Sequence, residues 1–280
     1  MISQTAKAER FRDLHLGDPF VMPNPWDAGS ARVLAALGFP ALATTSSGFA
    51  FTLGRVDGTV TLEEMAEHAR TVDRATELPV SVDLENGYGS DSASAARAIE
   101  RVAEAGAVGG SIEDYDPEDR RLYEIDHAAD RIAAASEAAH ALPFPFMLTA
   151  RAENHIRGNP RLDDTIARLT AYEAAGADVL YAPGLRVVGE VRAVCEAVSG
   201  PVNVLATPGS TFAEIVRAGG QRVSVGGGLA WVAIAAMTDA AALDDGRRMD
   251  ALPPRTPVIA ETRSSSPFVE EPRVGWRVGR

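Results

Sequence analysis

Eight short apolar runs, spaced by segments with helical periodicity, constrain this chain more than any other feature. The runs fall near residues 20–24, 41–46, 80–85, 108–113, 146–151, 179–182, 202–206 and 222–226. Between them apolar residues recur at helical spacing: Leu62, Met65, Ala69 and Val72, then Ala95, Ile99 and Val102. Leu162, Ile166 and Leu169 repeat the pattern, as do Val188, Val191, Cys195 and Val198. Several helical segments stop at a glycine just before the next run, at Gly38, Gly106, Gly176 and Gly219, where glycine accepts the left-handed conformation of a helix stop. Ala105-Gly106-Ala107 and Ala175-Gly176-Ala177 are near copies, a weak internal repeat of one strand–helix unit.

Strands alternating with helices of about 10–15 residues predict a parallel α/β fold. Eight such units predict a (β/α)8 TIM barrel, with a leading helix over residues 3–16. An open doubly wound sheet is the alternative. It would carry a Gly-x-Gly-x-x-Gly turn after its first strand, and Pro23-Asn24-Pro25-Trp26-Asp27 is not one. The expected organisation is a single barrel domain over residues 1–250. A tail over 251–280, rich in Pro, Arg and Ser, reads as extended or as an arm on a neighbouring subunit.

Composition excludes several function classes. The formal net charge of −12 disfavours nucleic acid and anionic membranes as partners. No apolar run approaches the ~20 residues of a membrane span, so a cytoplasmic protein is expected. Cys195 is the only cysteine, which excludes an internal disulfide and a thiolate zinc cluster. Lys7 is the only lysine and lies far from any expected strand end, so imine chemistry of the barrel aldolase kind is not expected.

In a barrel, function sits at the carboxyl ends of the strands. The third run ends in Asp83-Leu84-Glu85 and the fourth in Ile112-Glu113-Asp114. Side chains alternate along a strand, which places Ser81, Asp83 and Glu85 on one face and Gly109, Ser111 and Glu113 on the matching one. Asp83, Glu85 and Glu113 then converge at the barrel mouth. Carboxylates without His or Cys make a hard oxygen site suited to Mg²⁺ or Mn²⁺; the bland alternative is a solvated acidic rim or acids paired with arginines. Arg151 ends the fifth run and either pairs with those acids or binds a substrate carboxylate. After the second run, the hydroxyls and amides of Ser46, Ser47 and Gly48 could hold an anion.

These motifs resemble the isocitrate lyase/phosphoenolpyruvate mutase superfamily over residues 18–245. The resemblance is carried by Pro23-Asn24-Pro25-Trp26-Asp27-Ala28, Thr45-Ser46-Ser47-Gly48, Val82-Asp83-Leu84-Glu85-Asn86-Gly87-Tyr88-Gly89, Ile112-Glu113-Asp114 and Ala150-Arg151-Ala152-Glu153. It implies a Mg²⁺-dependent enzyme that cleaves or rearranges C–C or C–P bonds of small oxo or hydroxy acids through an enolpyruvate-like intermediate. It also implies a homotetramer whose final helix is swapped between paired subunits. By position, Asp83 is the implied direct metal ligand, and Glu85 and Glu113 hold metal-bound waters. Arg151 contacts the substrate carboxylate or the forming enolate. Ser46, Ser47 and Gly48 bind the carboxylate, and Asp57 sits in the mobile loop.

The departures narrow the expectation. The loop from Asp114 to Glu124 has neither the cysteine nor the lysine of isocitrate and methylisocitrate lyases. Cys195, on an apolar helix face, reads as core. After the sixth run Tyr181-Ala182-Pro183-Gly184 lacks the mutase histidine. What remains resembles the branch with oxaloacetate decarboxylases and malate-type lyases. Tyr88, Tyr123, His127 and His155 are candidate proton donors. Two further readings stay open: a metal-free phosphate-binding barrel using Thr207-Pro208-Gly209-Ser210 and Gly226-Gly227-Gly228, and a non-catalytic binding protein of the same fold.

Overall fold

The structure, a computed structural model, describes residues 2–241. The expected tail and the last residues of the expected barrel domain lie outside the described residues.

All eight expected strands are present: β1 (Phe20–Met22), β2 (Leu42–Ala43), β3 (Val80–Asp83), β4 (Gly109–Glu113), β5 (Met147–Arg151), β6 (Val179–Tyr181), β7 (Val202–Leu205) and β8 (Arg222–Ser224). They form one parallel sheet in the order β1-β8-β7-β6-β5-β4-β3-β2. The two end strands meet through the Ala43 amide, which donates to the Pro23 carbonyl at 3.1 Å. The Asn24 side chain adds a bond to the Thr44 carbonyl at 2.9 Å. The sheet therefore curls into a nearly closed barrel with helices outside. Each strand is shorter than its apolar run; in all but β4 and β5, which lose only their first residue, the last residues of the run leave the ladder to begin the loops at the carboxyl ends. The glycines expected to stop helices at 38, 106, 176 and 219 all have positive φ, between 86° and 104°.

Two packed layers hold the barrel. Val80, Val82, Leu148 and Leu180 face outward, against Ile99, Leu169 and their neighbours on the helices. Full burial of one such side chain stabilises the fold by roughly 1.5–3 kcal/mol. A second cluster closes the amino-terminal end. There Ala8 and Phe11 of the leading helix (Gln4–Leu16, capped by Ser3) pack on Phe20, Val108, Met147 and Val179. Gly109 has no side chain because a Cβ there would stand 2.7 Å from the Phe11 ring. His15 reaches inward to Arg222, 3.1 Å away, and burial followed by that charge pushes its pKa down to about 3. Lys7 is buried and pairs with Asp73 at 2.7 Å, so the only lysine is held at this closed end.

Strand register sets the opposite end. Asp83 lies beside Ser111, Glu113 beside Arg151, and Arg151 beside Tyr181. The parallel ladder therefore brings the acids of two strands and the arginine of a third to one rim.

Candidate active site

Asp83 ends β3 facing inward, as alternation requires. Its amide donates to the Thr44 hydroxyl at 2.9 Å, and its carboxylate accepts from the Ser46 amide at 3.1 Å. The alternation expected to continue to Glu85 stops at Asp83. Glu85 has φ 49°, a left-handed turn residue, and reaches the rim through that turn. Its carboxyl still faces Asp83 and Asp57, and one oxygen, Oε1, is buried without a hydrogen-bond partner.

Arg151 stands between the acids. Its guanidinium pairs with Asp83 at 3.4 Å, with Glu113 at 2.9 Å, and with Glu153. Glu113 and Glu153 also share Arg157, at 3.4 Å and 3.0 Å. Asp83 and Glu113 are thus joined through Arg151, which modifies the expected convergence of three bare carboxylates: like charges at this separation settle around a cation. Burial raises the Glu113 pKa, against the pull of Arg151 and Arg157. For Arg151, burial acts to lower the pKa, but the charges of Glu113, Glu153 and Asp83 prevail and raise it.

Arg157 and Glu153 belong to the same charged cluster; the sequence reading names Glu153 only within its motif and does not reach Arg157. Their i, i+4 spacing on a single helical turn is the signal that could have found them. Arg157 is fixed from its other side by the Tyr115 ring, whose centroid lies 3.8 Å from its guanidinium carbon. Tyr115 belongs to a two-stranded hairpin, Tyr115–Asp116 with Arg121–Leu122, that folds the expected loop after β4.

Ser46, Ser47 and Gly48 form the first turn of a short helix, Ser46–Thr52. Thr45 caps it, accepting from the Gly48 amide at 3.4 Å and meeting the Ser47 hydroxyl at 3.2 Å. With the Ser46 amide donated to Asp83, two of the amides expected to be free are already engaged. Asp57 lies on the exposed loop that follows, with its carboxyl near Ser46 and Asp83. Partial loss of hydration raises its pKa, and Asp83 adds to the shift.

The candidate proton donors differ sharply. The Tyr88 hydroxyl is buried without a partner, and burial followed by the Glu85 charge holds it un-ionised. Tyr123 accepts from the Asn86 side chain at 3.1 Å. His127 meets the Ser90 carbonyl at 2.9 Å in the first turn of its helix. His155 Nε2 is buried without a partner. Cys195 packs beside Gly219 on the core, and burial raises its thiol to about 11, so it is an inert side chain.

The rim opens into a lumen cavity of about 60 Å³ lined by Ser81, Asp83, Ser111, Arg151 and Tyr181. A larger groove of about 640 Å³ lies at the closed end, beside Arg12, Leu142 and Phe144, away from these acids.

The donors fit a hard divalent ion. Among the described residues Asp57, Asp83, Glu85, Glu113 and Glu153 face Arg151 and Arg157 as their close cations, and Glu85 Oε1 has no partner. Among the described residues no three His, Cys, Asp or Glu side chains form a ready cage. An ion that keeps most of its waters, as Mg²⁺ does, suits such a set better than one needing an all-protein shell.

Comparison with known proteins agrees with this architecture. Residues 11–243 match the family described as phosphoenolpyruvate phosphomutase. A crystal structure from Burkholderia cenocepacia J2315, provisionally named a lyase/mutase, is 51% identical, with a TM-score of 0.82 over 85% of this chain and 87% of that one. The oxaloacetate decarboxylase of Bradyrhizobium diazoefficiens is 31% identical over 229 residues, covering 79% of this chain and 77% of the relative. The crystal structure of a 2,3-dimethylmalate lyase is 26% identical, with a TM-score of 0.77 over 89% of this chain and 92% of that one. The chain belongs to the phosphoenolpyruvate phosphomutase family and is a lyase/mutase enzyme of the isocitrate lyase/PEP mutase superfamily.

Proposed function

We propose that this enzyme is a Mg²⁺-dependent lyase that cleaves a C–C bond of a small 2-oxo or 2-hydroxy acid, of the oxaloacetate decarboxylase or malate-lyase kind. The observation that carries this reading is the excess of carboxylate over guanidinium charge around Asp83, with Glu85 Oε1 buried and unpartnered. A bound Mg²⁺ would supply Lewis-acid stabilisation of negative charge developing on the substrate's C2 oxygen. Asp83 would hold it directly in this reading, and Glu85 and Glu113 would hold it through water.

The chain's own residues do the rest. Arg151, buried and pre-aimed by Glu113 and Glu153, donates hydrogen bonds to the substrate carboxylate or the forming enolate. Ser46, Ser47 and Gly48 receive the carboxylate in this reading; the Ser46 amide, which donates to Asp83, would be available to it if Asp83 held the metal. Asp57 rides on the loop beside them. The missing loop cysteine separates this chain from isocitrate-type lyases, whose cysteine protonates the intermediate. The test is pyruvate release with Mg²⁺ from oxaloacetate, phosphonopyruvate, substituted malates and methylisocitrate. Metal-dependent release from a C–C substrate supports the reading. Release unaffected by EDTA would favour a metal-free barrel, and ligand binding without turnover a non-catalytic one.

Magnesium affinity should depend on pH with a defined sign. Burial first, then Asp83 and Asp57, lift the Glu85 carboxyl to about 8. A raised acid favours the protonated folded form, so the stability it contributes to the metal-free protein is lost as pH climbs from its unfolded value through about 8. An incoming cation displaces that proton. Apparent affinity is expected to rise by up to about tenfold per pH unit below that point and to level off above it. Calorimetric titrations at several pH values, with Glu85→Gln flattening the profile, check this; a flat wild-type profile contradicts it.

The last described helix, Gly228–Ala241, fits a subunit contact. Trp231, Val232 and Met237 are 49%, 67% and 60% exposed, and Trp231 meets the exposed Phe51 ring edge-on at 5.6 Å. A helix apolar on its outer face calls for a cover. A second copy of this chain, in a homotetramer with exchanged C-terminal helices, is the proposed occupant. Light scattering should give a tetramer, and Trp231→Glu should dissociate it; a monomeric wild type ends the proposal. No helix among the described residues is long and apolar enough to cross a membrane. The acidic balance fits a cytoplasmic enzyme without nucleic-acid partners.

A further inference from the structure

Arg131 is a deeply buried cation that no acid pairs directly among the described residues. It is 1% exposed, on the helix Ile125–His140, and makes no ion pair among the described residues. Its guanidinium donates to the backbone carbonyls of Asn86 and of Gly89, the latter at 2.6 Å, and lies 4.6 Å over the Tyr123 ring. Tyr123 in turn accepts from the Asn86 side chain. Asp91, Asp116 and Asp114 act on it only from a distance, and burying a charge without a direct ion pair is costly, so what its hydrogen bonds hold matters.

They hold an unusual turn. Glu85, Gly87 and Tyr88 have φ values of 49°, 82° and 60°. A left-handed residue that is not glycine is strained by its Cβ, and such conformations persist only where the surroundings over-determine them. Gly87 packs so tightly that an added Cβ would lie 3.1 Å from Ala95 Cα and 3.5 Å from the Arg131 guanidinium. The same turn carries the Glu85 oxygen and the Tyr88 hydroxyl that lack partners.

We infer that Arg131 is a positioning residue: it clamps the left-handed turn over residues 85–89 so that Glu85 and Tyr88 are presented to the acid cluster at the rim. Hydrogen bonds from a charged donor are stronger than those between neutral groups, and two of them offset the strain of Glu85 and Tyr88. The functional part of this inference rests on the magnesium reading above.

The test uses the full chain carrying Arg131→Met or Arg131→Lys. In Arg131→Met, amide hydrogen exchange at Gly87 and Tyr88 should accelerate at least about tenfold while the amides of β4 stay protected. Magnesium affinity should fall by about 10–100-fold, as when a supporting partner is lost from a metal site. Arg131→Lys keeps a charged donor to the carbonyls and should recover most of both; if Arg131→Met does not fold, Arg131→Gln, with a neutral donor, takes its place in the same comparison. Unchanged exchange at Gly87 and Tyr88 overturns the clamp. Faster exchange with unchanged magnesium affinity and turnover overturns the positioning role and leaves a purely structural one. A wild type that binds no magnesium defeats the metal reading, and exchange at the turn then decides the clamp by itself.

Discussion

Asp83→Asn is expected to abolish magnesium binding while leaving the fold intact or slightly stronger. Asparagine keeps an oxygen that can accept from the Ser46 amide, so the local hydrogen bonding survives. It removes one negative charge from a cluster that already exceeds its arginines. Relief of that repulsion should leave the metal-free melting temperature equal to or above wild type. The carboxylate itself is the proposed direct ligand, and its loss should weaken magnesium by at least about 100-fold, more than loss of an outer partner. Turnover should fall by roughly 10³-fold or more, in line with removal of a principal electrostatic stabiliser. Calorimetry, thermal melting and steady-state kinetics on one preparation measure all three. Loss of function coupled to unchanged or increased stability marks a residue kept for chemistry. A destabilised variant with normal magnesium affinity would assign Asp83 to the fold.

The second large effect is expected at Arg151. It is the shared cation of Asp83, Glu113 and Glu153, and Glu153 is fully buried. Arg151→Met strands these acids with Arg157 alone, and an uncompensated buried charge typically costs about 3–5 kcal/mol. Chemical denaturation should show a loss of about that size. Because a divalent cation supplies the missing positive charge, magnesium should restore more stability to Arg151→Met than it adds to wild type. Arg151→Lys separates charge from shape. It should fold close to normally but lose roughly 10²–10³-fold in kcat, since an ammonium cannot reproduce the planar fork. Unaltered kinetics in Arg151→Lys would remove the guanidinium from the mechanism.

Much of this site is legible in the amino-acid sequence because its key residues end strands. The apolar runs and glycine stops locate the eight units, and a parallel barrel sends strand ends to one rim; Asp83, Glu113 and Arg151 follow directly. Alternation brings Glu85 to the right place for an incomplete reason, since periodicity cannot show that the chain turns left-handed there. Ser46-Ser47-Gly48 gives no helical signal because serine and glycine are poor helix formers, but the Thr45 cap starts a helical turn there. Arg131 lies 45 residues from Asn86, whose carbonyl it serves. No local pattern marks a helix arginine that turns inward rather than toward water. Pairing with the acids is one of two sequence readings of Arg151, and the register of β4 against β5, which sets Glu113 beside it, is not visible in any local pattern.

A crystal soaked with Mn²⁺ and oxalate, with the anomalous signal mapped, tests the central claim most directly. One strong peak is expected at the rim, with an Asp83 oxygen within the ~2.0–2.2 Å typical of such ligands, and with Glu85 and Glu113 reached through waters. A peak elsewhere, or none while oxalate occupies the lumen, would contradict a metal site built on Asp83.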